Sequence, residues 1–217
     1  MLLELDIGNT RIKWRLRSAH GVIASNFADT ASLVDMQDVD QLFDNIDLAG
    51  VSAVHIGSVV PRCHDVLTGW CHHRIQQVPC WAEVAQVQAG VVNAYQDISQ
   101  MGVDRWLALL AARDLMVARK RQKVTCLVID AGSAVTLDVL DADGIHQGGF
   151  IVPGLGLMNR ALFSDTNRVK VPLQSAPSAA LQLGSTTEQC VLSGLSLMLL
   201  GFVREALSLS VSLSASN

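Results

Sequence analysis

Apolar and polar positions alternate through Leu2-Leu3-Glu4-Leu5-Asp6, the pattern of a half-buried strand ending at Asp6. Gly8-Asn9-Thr10 breaks it, and predicts a tight turn in which Gly8 can take a positive φ and backbone N–H groups can face an anion. Residues 12–16 read as a returning strand and 21–25 as the third strand of a meander. Leu33, Met36, Val39, Leu42 and Phe43 recur at helical spacing and predict a helix over 31–48, followed by an apolar strand over 53–60 that Pro61 breaks. A helix over 65–74 and a short strand at 76–78, closed by Pro79, complete this part.

Residues 82–100 lack a period and read as a loop carrying Tyr95, the single tyrosine. Val103, Trp106, Leu107, Leu110, Ala111 and Leu115 form the apolar stripe of a helix over 103–119, with Asp104 and Arg105 in its first turn. The helix dipole stabilises an acid there by roughly 0.3–1 kcal/mol, so Asp104 needs no chemical role to be explained. A cation at the same place is unfavourable unless something anionic faces it, so Arg105 points to function.

The polar stretch Lys120-Arg121-Gln122-Lys123 marks a boundary, giving lobes over 1–121 and 122–217. The opening pattern then recurs: the strand Cys126-Leu127-Val128-Ile129-Asp130 runs into Ala131-Gly132-Ser133, a strand follows over 135–140, and Gly148-Gly149-Phe150-Ile151-Val152-Pro153-Gly154 is a third. Either acid-glycine turn alone reads equally as an ordinary hairpin or as a phosphate turn. Two in the same order point to an internal duplication, with the turns facing one another across a cleft. A carboxylate beside an anion-binding turn suits Mg²⁺-nucleotide chemistry, because a divalent cation reconciles the two.

A helix is predicted over 154–163. Leu183-Gly184-Ser185-Thr186-Thr187-Glu188 caps a further apolar helix through Val191, Leu195, Met198, Leu199 and Phe202, and Thr187 reads equally as its cap or as a ligand contact. Beyond Arg204 the Leu-Ser alternation reads as an edge strand or as a frayed tail.

Half of the 217 residues are apolar, so the chain can bury a sizeable core. The net charge is −4, and the 16 basic residues form no stripe in the sequence, so nucleic acid is not an expected partner. No apolar run reaches the about 20 residues of a membrane span and no signal peptide opens the chain, so a cytoplasmic protein without a membrane partner is expected. The five cysteines form no disulfide framework. Cys63, His64, Cys71, His72, His73 and Cys80 lie close in sequence, but without the spacing of a zinc site, and read as reduced thiols and ordinary histidines.

Five motifs in order, DIGNTRIKW, Tyr95 followed by GVDRW, DAGSAVT, GGFIVPG and LGSTT, span residues 1 to about 205 and resemble the type III pantothenate kinases. These belong to the superfamily of acetate and sugar kinases, Hsp70 and actin. The resemblance implies an α/β fold of two ribonuclease-H-like (actin-like ATPase) lobes. It also implies ATP-dependent phosphorylation of pantothenate to 4′-phosphopantothenate, a monovalent cation (K⁺ or NH₄⁺) and a homodimer. Residue by residue, it implies that Asp6, Gly8, Asn9, Thr10 and Lys13 bind ATP, with Asp6 holding Mg²⁺ through water. Ser133 would contact ATP where the family carries threonine, and Asp130 would hold the monovalent cation. Tyr95, Gly102, Val103, Asp104, Arg105 and Thr187 would bind pantothenate, and Asp104 would be the general base, with Arg105 meeting the substrate carboxylate or the transferring phosphate.

Family members continue past the apolar helix into a further strand, a TGGDA-like turn and a last helix. The Ser-Leu alternation stands in that place here, so a second lobe truncated at its C-terminus is expected. Two rival functions accompany the kinase: a catalytically weak accessory or regulatory relative, and an actin-like ATPase or sugar kinase, which leaves GVDRW with Tyr95 unexplained.

Overall fold

The computed structural model describes residues 1–121, 124–164 and 181–215, with 163–164 and 211–215 as backbone only. The predicted boundary stretch therefore lies partly outside the described residues, at Gln122 and Lys123. The chain divides into two compact units, Met1–Gln86 with Tyr95–Ala108, and Val87–Ala94 with Leu109–Asn217.

Unit 1 is built on a five-stranded sheet. The meander β1 (Leu2–Ile7), β2 (Arg11–Ser18) and β3 (Gly21–Asp29) is antiparallel, while β4 (Ala53–Ser58) and β5 (Cys80–Trp81) add parallel to β1, giving the order β3-β2-β1-β4-β5. Alternation sorts the faces of β1 and β2: Leu3, Leu5, Ile7, Ile12, Trp14 and Leu16 are buried on one, while Arg11, Lys13 and Arg15 are exposed on the other. Glu4 receives hydrogen bonds from Arg15, which hold its carboxyl below the usual range.

The core face is covered by α1 (Met36–Leu42) and α2 (His64–Trp70). Trp14 packs at a tilt on Phe43, which stacks on Trp70, with centroids 5.0 and 4.9 Å apart. The helix predicted over 31–48 is thus much shorter. Asp35 is its N-cap, taking the N–H groups of Gln37 and Asp38 while the Asp38 carboxylate accepts from the Asp35 N–H, so local chemistry starts the helix five residues late. After α2 the chain continues as a π-helical turn (Cys71–Ile75) and stops at Gln76, which is left-handed at φ 59°. The strand expected at 76–78 lies beyond Pro79 instead, where Cys80 and Trp81 pair with His55 and Ile56.

In unit 2, β8 (Cys126–Ala131), β9 (Ala134–Leu140) and β10 (His146–Pro153) form an antiparallel sheet in the order β10-β9-β8. It repeats the meander that opens the chain. The 82–100 loop contains a small hairpin, β6 (Val87–Gln88) and β7 (Val91–Val92), turned by Ala89 and Gly90 at φ 48° and 76°. The helix α3 (Val103–Ala118) matches the expected span but not the expected stripe: Val103, Trp106, Leu109 and Met116 are buried, while Leu107, Ala111 and Leu115 are exposed, and α4 (Leu155–Ser164) follows β10.

The helix α5 (Thr187–Ala215) corrects two expectations. As far as residue 215 the Leu-Ser alternation is helical and not a strand, and serine hydroxyls bond back into the helix, from Ser208 to the Arg204 carbonyl and from Ser210 to that of Leu207. Thr187–Ser210 is also long and apolar enough to cross a membrane by length and composition, which the charges at Glu188, Arg204 and Glu205 masked in the sequence. Core helices pass the same test, and α5 packs on β9 through Phe202 and Ala206 beside Leu137 and Val139. Leu197, Met198 and Leu200 remain more than half exposed, at 60%, 63% and 55%.

Candidate functional site

The hairpin between β1 and β2 gathers the first group of expected residues. Asp6 stands opposite Lys13 in the ladder, and the Lys13 Nζ lies 3.5 Å from its carboxylate, both side chains more than half exposed. The Gly8 N–H donates to the Arg11 carbonyl at 3.0 Å and closes a turn with Asn9 and Thr10 at its tip. Gly8 does not use the positive φ open to a glycine, and a Cβ there would make only an ordinary 3.4 Å contact with the Arg11 oxygen. The turn comes from strand register and hydrogen bonding, not from left-handed glycine.

Two residues that the sequence reading passed over support this turn. The Thr30 hydroxyl donates to the Gly8 carbonyl at 2.7 Å, and the Thr30 N–H donates to the Thr10 carbonyl at 3.0 Å. Arg62 in turn donates to the carbonyls of Thr30 and Leu33, both at 2.6 Å. The signal for Thr30 was the meander register, since Arg11 faces Asp29 and one step further sets Thr10 against Thr30. It became readable only once β3 proved to run to Asp29, beyond the predicted end at residue 25. Arg62 left no sequence signal.

The second group is assembled in the same unit, where the loop after Tyr95 enters α3. Arg105 is buried at 6% exposure and donates from Nη1 to the Tyr95 hydroxyl at 2.8 Å, with its guanidinium carbon 5.6 Å from the ring centroid. A tyrosine oxygen is thus one partner of this cation. The neighbouring Asp104 side chain is exposed, and its Oδ1 accepts from the Arg105 N–H at 2.8 Å, which fixes the carboxylate at the helix start. Val103 is buried beneath it. At Gly102 a Cβ would come within 2.5 Å of that Asp104 oxygen, so a side chain would displace the carboxylate. The helix approaches β4 at Gly57, the residue beside Asp6 in the sheet, where a Cβ would lie 2.9 Å from the Leu107 side chain.

Unit 2 holds the remaining expected residues. Asp130 is exposed near the end of β8, and Gly132 and Ser133 form the turn into β9. Gly132 also lacks a positive φ. Gly154 backs this turn, donating its N–H to the Ser133 carbonyl at 2.9 Å, and a Cβ there would fall 2.2 Å from the Gly132 oxygen. Thr187 is the first residue of α5 and is exposed; the N-cap is Thr186, whose hydroxyl accepts from the Gln189 N–H at 3.2 Å. The structure thus assigns capping to its neighbour.

The chemistry of these donors suits the groups the sequence implies. Asp6, an exposed carboxylate at a strand end, can hold a hydrated Mg²⁺, a hard ion that prefers oxygen ligands and retains waters. Asp130 offers an exposed oxygen donor of the same kind. Elsewhere, no three His, Cys, Asp or Glu side chains among the described residues gather in a group that could hold a metal ion. Cys63 and Cys71 are buried, and His64 stacks on Trp81 at 4.2 Å.

The type III pantothenate kinase family model matches residues 2–208. Similar curated proteins, each a type III pantothenate kinase, come from Pseudomonas savastanoi pv. phaseolicola (38% identical, covering 93% of this chain and 79% of the relative) and Pseudomonas aeruginosa (38%, covering 98% and 83%). Another, from Marinobacter nauticus, is 36% identical over 90% of this chain and 75% of its own length. Among solved structures, a conserved Campylobacter jejuni protein described as a Baf family transcriptional activator aligns with a TM-score of 0.54 at 20% identity, over 94% of this chain and 78% of its own. A Sinorhizobium meliloti protein described as a 2-dehydro-3-deoxygalactonokinase aligns at 0.53 and 12%, over 99% and 81%. At these identities the two structures speak for the fold, that of the sugar kinases and actin-like ATPases.

Proposed function

This chain belongs to the type III pantothenate kinase family, and from that premise we propose that its activity runs through Asp104. The reaction is the ATP-dependent phosphorylation of pantothenate to 4′-phosphopantothenate, in coenzyme A biosynthesis. The accessory or regulatory reading is not favoured, because the likeness to the Campylobacter jejuni protein is one of fold.

The observation that carries the assignment is the placement of Asp104. Its carboxylate is exposed and oriented by the Arg105 N–H, with room left by Gly102 and with the fixed Arg105–Tyr95 pair alongside. Phosphoryl transfer depends chiefly on positioning and on charge stabilisation, and the acceptor hydroxyl needs a base within hydrogen-bond reach. In this reading Asp104 takes the hydroxyl proton as the oxygen attacks the γ-phosphorus, and ADP departs. Tyr95, Gly102, Val103, Arg105 and Thr187 hold pantothenate, with Arg105 directed at an anionic oxygen.

Asn9, Thr10, Gly8 and Lys13 bind the phosphates of ATP, and Ser133 contributes a hydroxyl from the second turn. Asp6 holds Mg²⁺ through water, and the ion when bound neutralises phosphate charge. Asp130 takes the monovalent cation, K⁺ or NH₄⁺. A cytoplasmic homodimer with lobes over 1–121 and 122–217 completes the proposal.

The test is direct. Purified protein with Mg²⁺, K⁺ and millimolar ATP is expected to form phosphopantothenate, and Asp104→Asn is expected to lower kcat by about 10²–10⁴-fold with an unchanged melting temperature. Unaltered turnover in the variant removes Asp104 as the base.

A further inference from the structure

We propose that Thr30, anchored by Arg62, is a positioning residue for ATP: it fixes the peptide planes of the Gly8–Thr10 turn so that backbone N–H groups face the phosphates. The inference rests on the proposal that this turn binds ATP.

Thr30 is fully buried at 0% exposure, an unusual place for a threonine unless both of its polar groups are engaged. Both are, and on the same short turn. The hydroxyl takes the Gly8 carbonyl at 2.7 Å and the N–H takes the Thr10 carbonyl at 3.0 Å. A trans peptide is planar, with its C=O and N–H pointing in opposite directions, and the described chain contains no cis bond. Drawing the Gly8 oxygen toward Thr30 therefore turns the Asn9 N–H away from it. Drawing the Thr10 oxygen inward does the same to the Arg11 N–H. Each bond made behind the turn thus aims a donor in front of it, and aligned N–H groups form an anion-binding concavity.

A splint needs its own anchor, and Arg62 supplies one. Its Nη2 and Nη1 grip the carbonyls of Thr30 and Leu33, the two ends of the single helical turn that follows β3, and these charge-assisted bonds are shorter than ordinary ones. Leu33 is itself buried at 2% exposure, so the exposed Arg62 grips a segment whose far end is anchored in the core of unit 1. This arrangement also explains how the turn is held without a left-handed glycine.

Thr30→Val keeps the shape and deletes the hydroxyl, Thr30→Ser restores it, and exposed Arg62→Gln loosens the anchor without cutting into the core. The readouts are the dissociation constant for Mg·ADP by calorimetry, and KM for ATP against KM for pantothenate. Thr30→Val is expected to weaken Mg·ADP and raise KM for ATP by roughly five- to tenfold, the worth of about one hydrogen bond. KM for pantothenate should stay within about twofold, Thr30→Ser should return near the parent, and Arg62→Gln should shift in the same direction by less.

Lys13→Ala is the control for the underlying reading. If it weakens Mg·ADP while Thr30→Val and Arg62→Gln leave it unchanged, positioning by Thr30 is overturned and the turn remains the phosphate site. If Lys13→Ala has no effect either, the turn is not the phosphate site and both ideas fall. Equal rises in both KM values with a lowered melting temperature make Thr30 a purely structural residue and overturn the inference. Should Thr30→Val fail to fold, Arg62→Gln decides alone by the same criteria.

Discussion

The buried guanidinium of Arg105 donates to the Tyr95 hydroxyl at 2.8 Å, ten residues before it in the chain, and so ties the loop ahead of α3 to the first turn of that helix. Tyr95→Phe removes one acceptor of this buried guanidinium, at a cost of about 1–3 kcal/mol. KM for pantothenate is expected to rise roughly tenfold in steady-state assays, with KM for ATP little changed. An equal rise for both substrates would contradict the assignment of this pair to the pantothenate site.

Asp40 ties α1 to the end of α2, taking hydrogen bonds from Arg74 at 2.6 and 3.1 Å and from the Trp70 indole at 2.8 Å. Arg74 first, and Trp70 after it, hold its carboxyl below the ordinary value of 3.8. The folded state thus favours the charged form, so the stabilisation is fully present above that ordinary value and fades as the pH falls through the lowered one. Because the pair is largely exposed, the effect is modest. Asp40→Asn should lower the melting temperature by roughly 1–3 °C at pH 7. In scans at pH 3 the gap between variant and parent should narrow, and a gap that widens in acid would show the sign to be wrong.

The five thiols should separate by burial. Burial pushes the Cys71 thiol up to about 11 and raises Cys63 and Cys126 as well, whereas Cys80 and Cys190 are exposed. A disulfide reagent reacts with thiolate, so at pH 8 the native protein should modify rapidly at Cys80 and Cys190, slowly at Cys126, and at Cys63 and Cys71 only in denaturant. Peptide mapping of the labelled protein checks the order. Rapid native labelling of Cys71 would refute its placement in the core.

Much of this was legible because it follows from residue order alone. The alternation in β1 and β2, the span of α3 and the second Asp-x-Gly strand were readable directly, and the ordered motifs gave the family. What escaped depended on hydrogen bonds that no periodicity encodes. Asp35 delays α1 by capping it, and Thr186 takes the cap between two adjacent threonines. The alternation after Arg204 misled because leucine and serine both tolerate a helix, and serine hydroxyls fold back onto carbonyls one turn earlier. The support of the first turn by Thr30 and Arg62 joins residues far apart in sequence, so only the folded chain displays it.

Gly154 closes against the Ser133 carbonyl from the far end of β10. The Asp130–Ser133 turn is therefore not a local motif, although it reads as one. Beside the local bond from the Gly132 N–H to the Ala134 carbonyl, it takes support from a later strand, whose return carries a loop-closure cost that the turn itself does not repay. Any order of assembly that leaves β10 unpaired leaves this turn unfinished, and a peptide ending after β9 would carry its sequence without its shape.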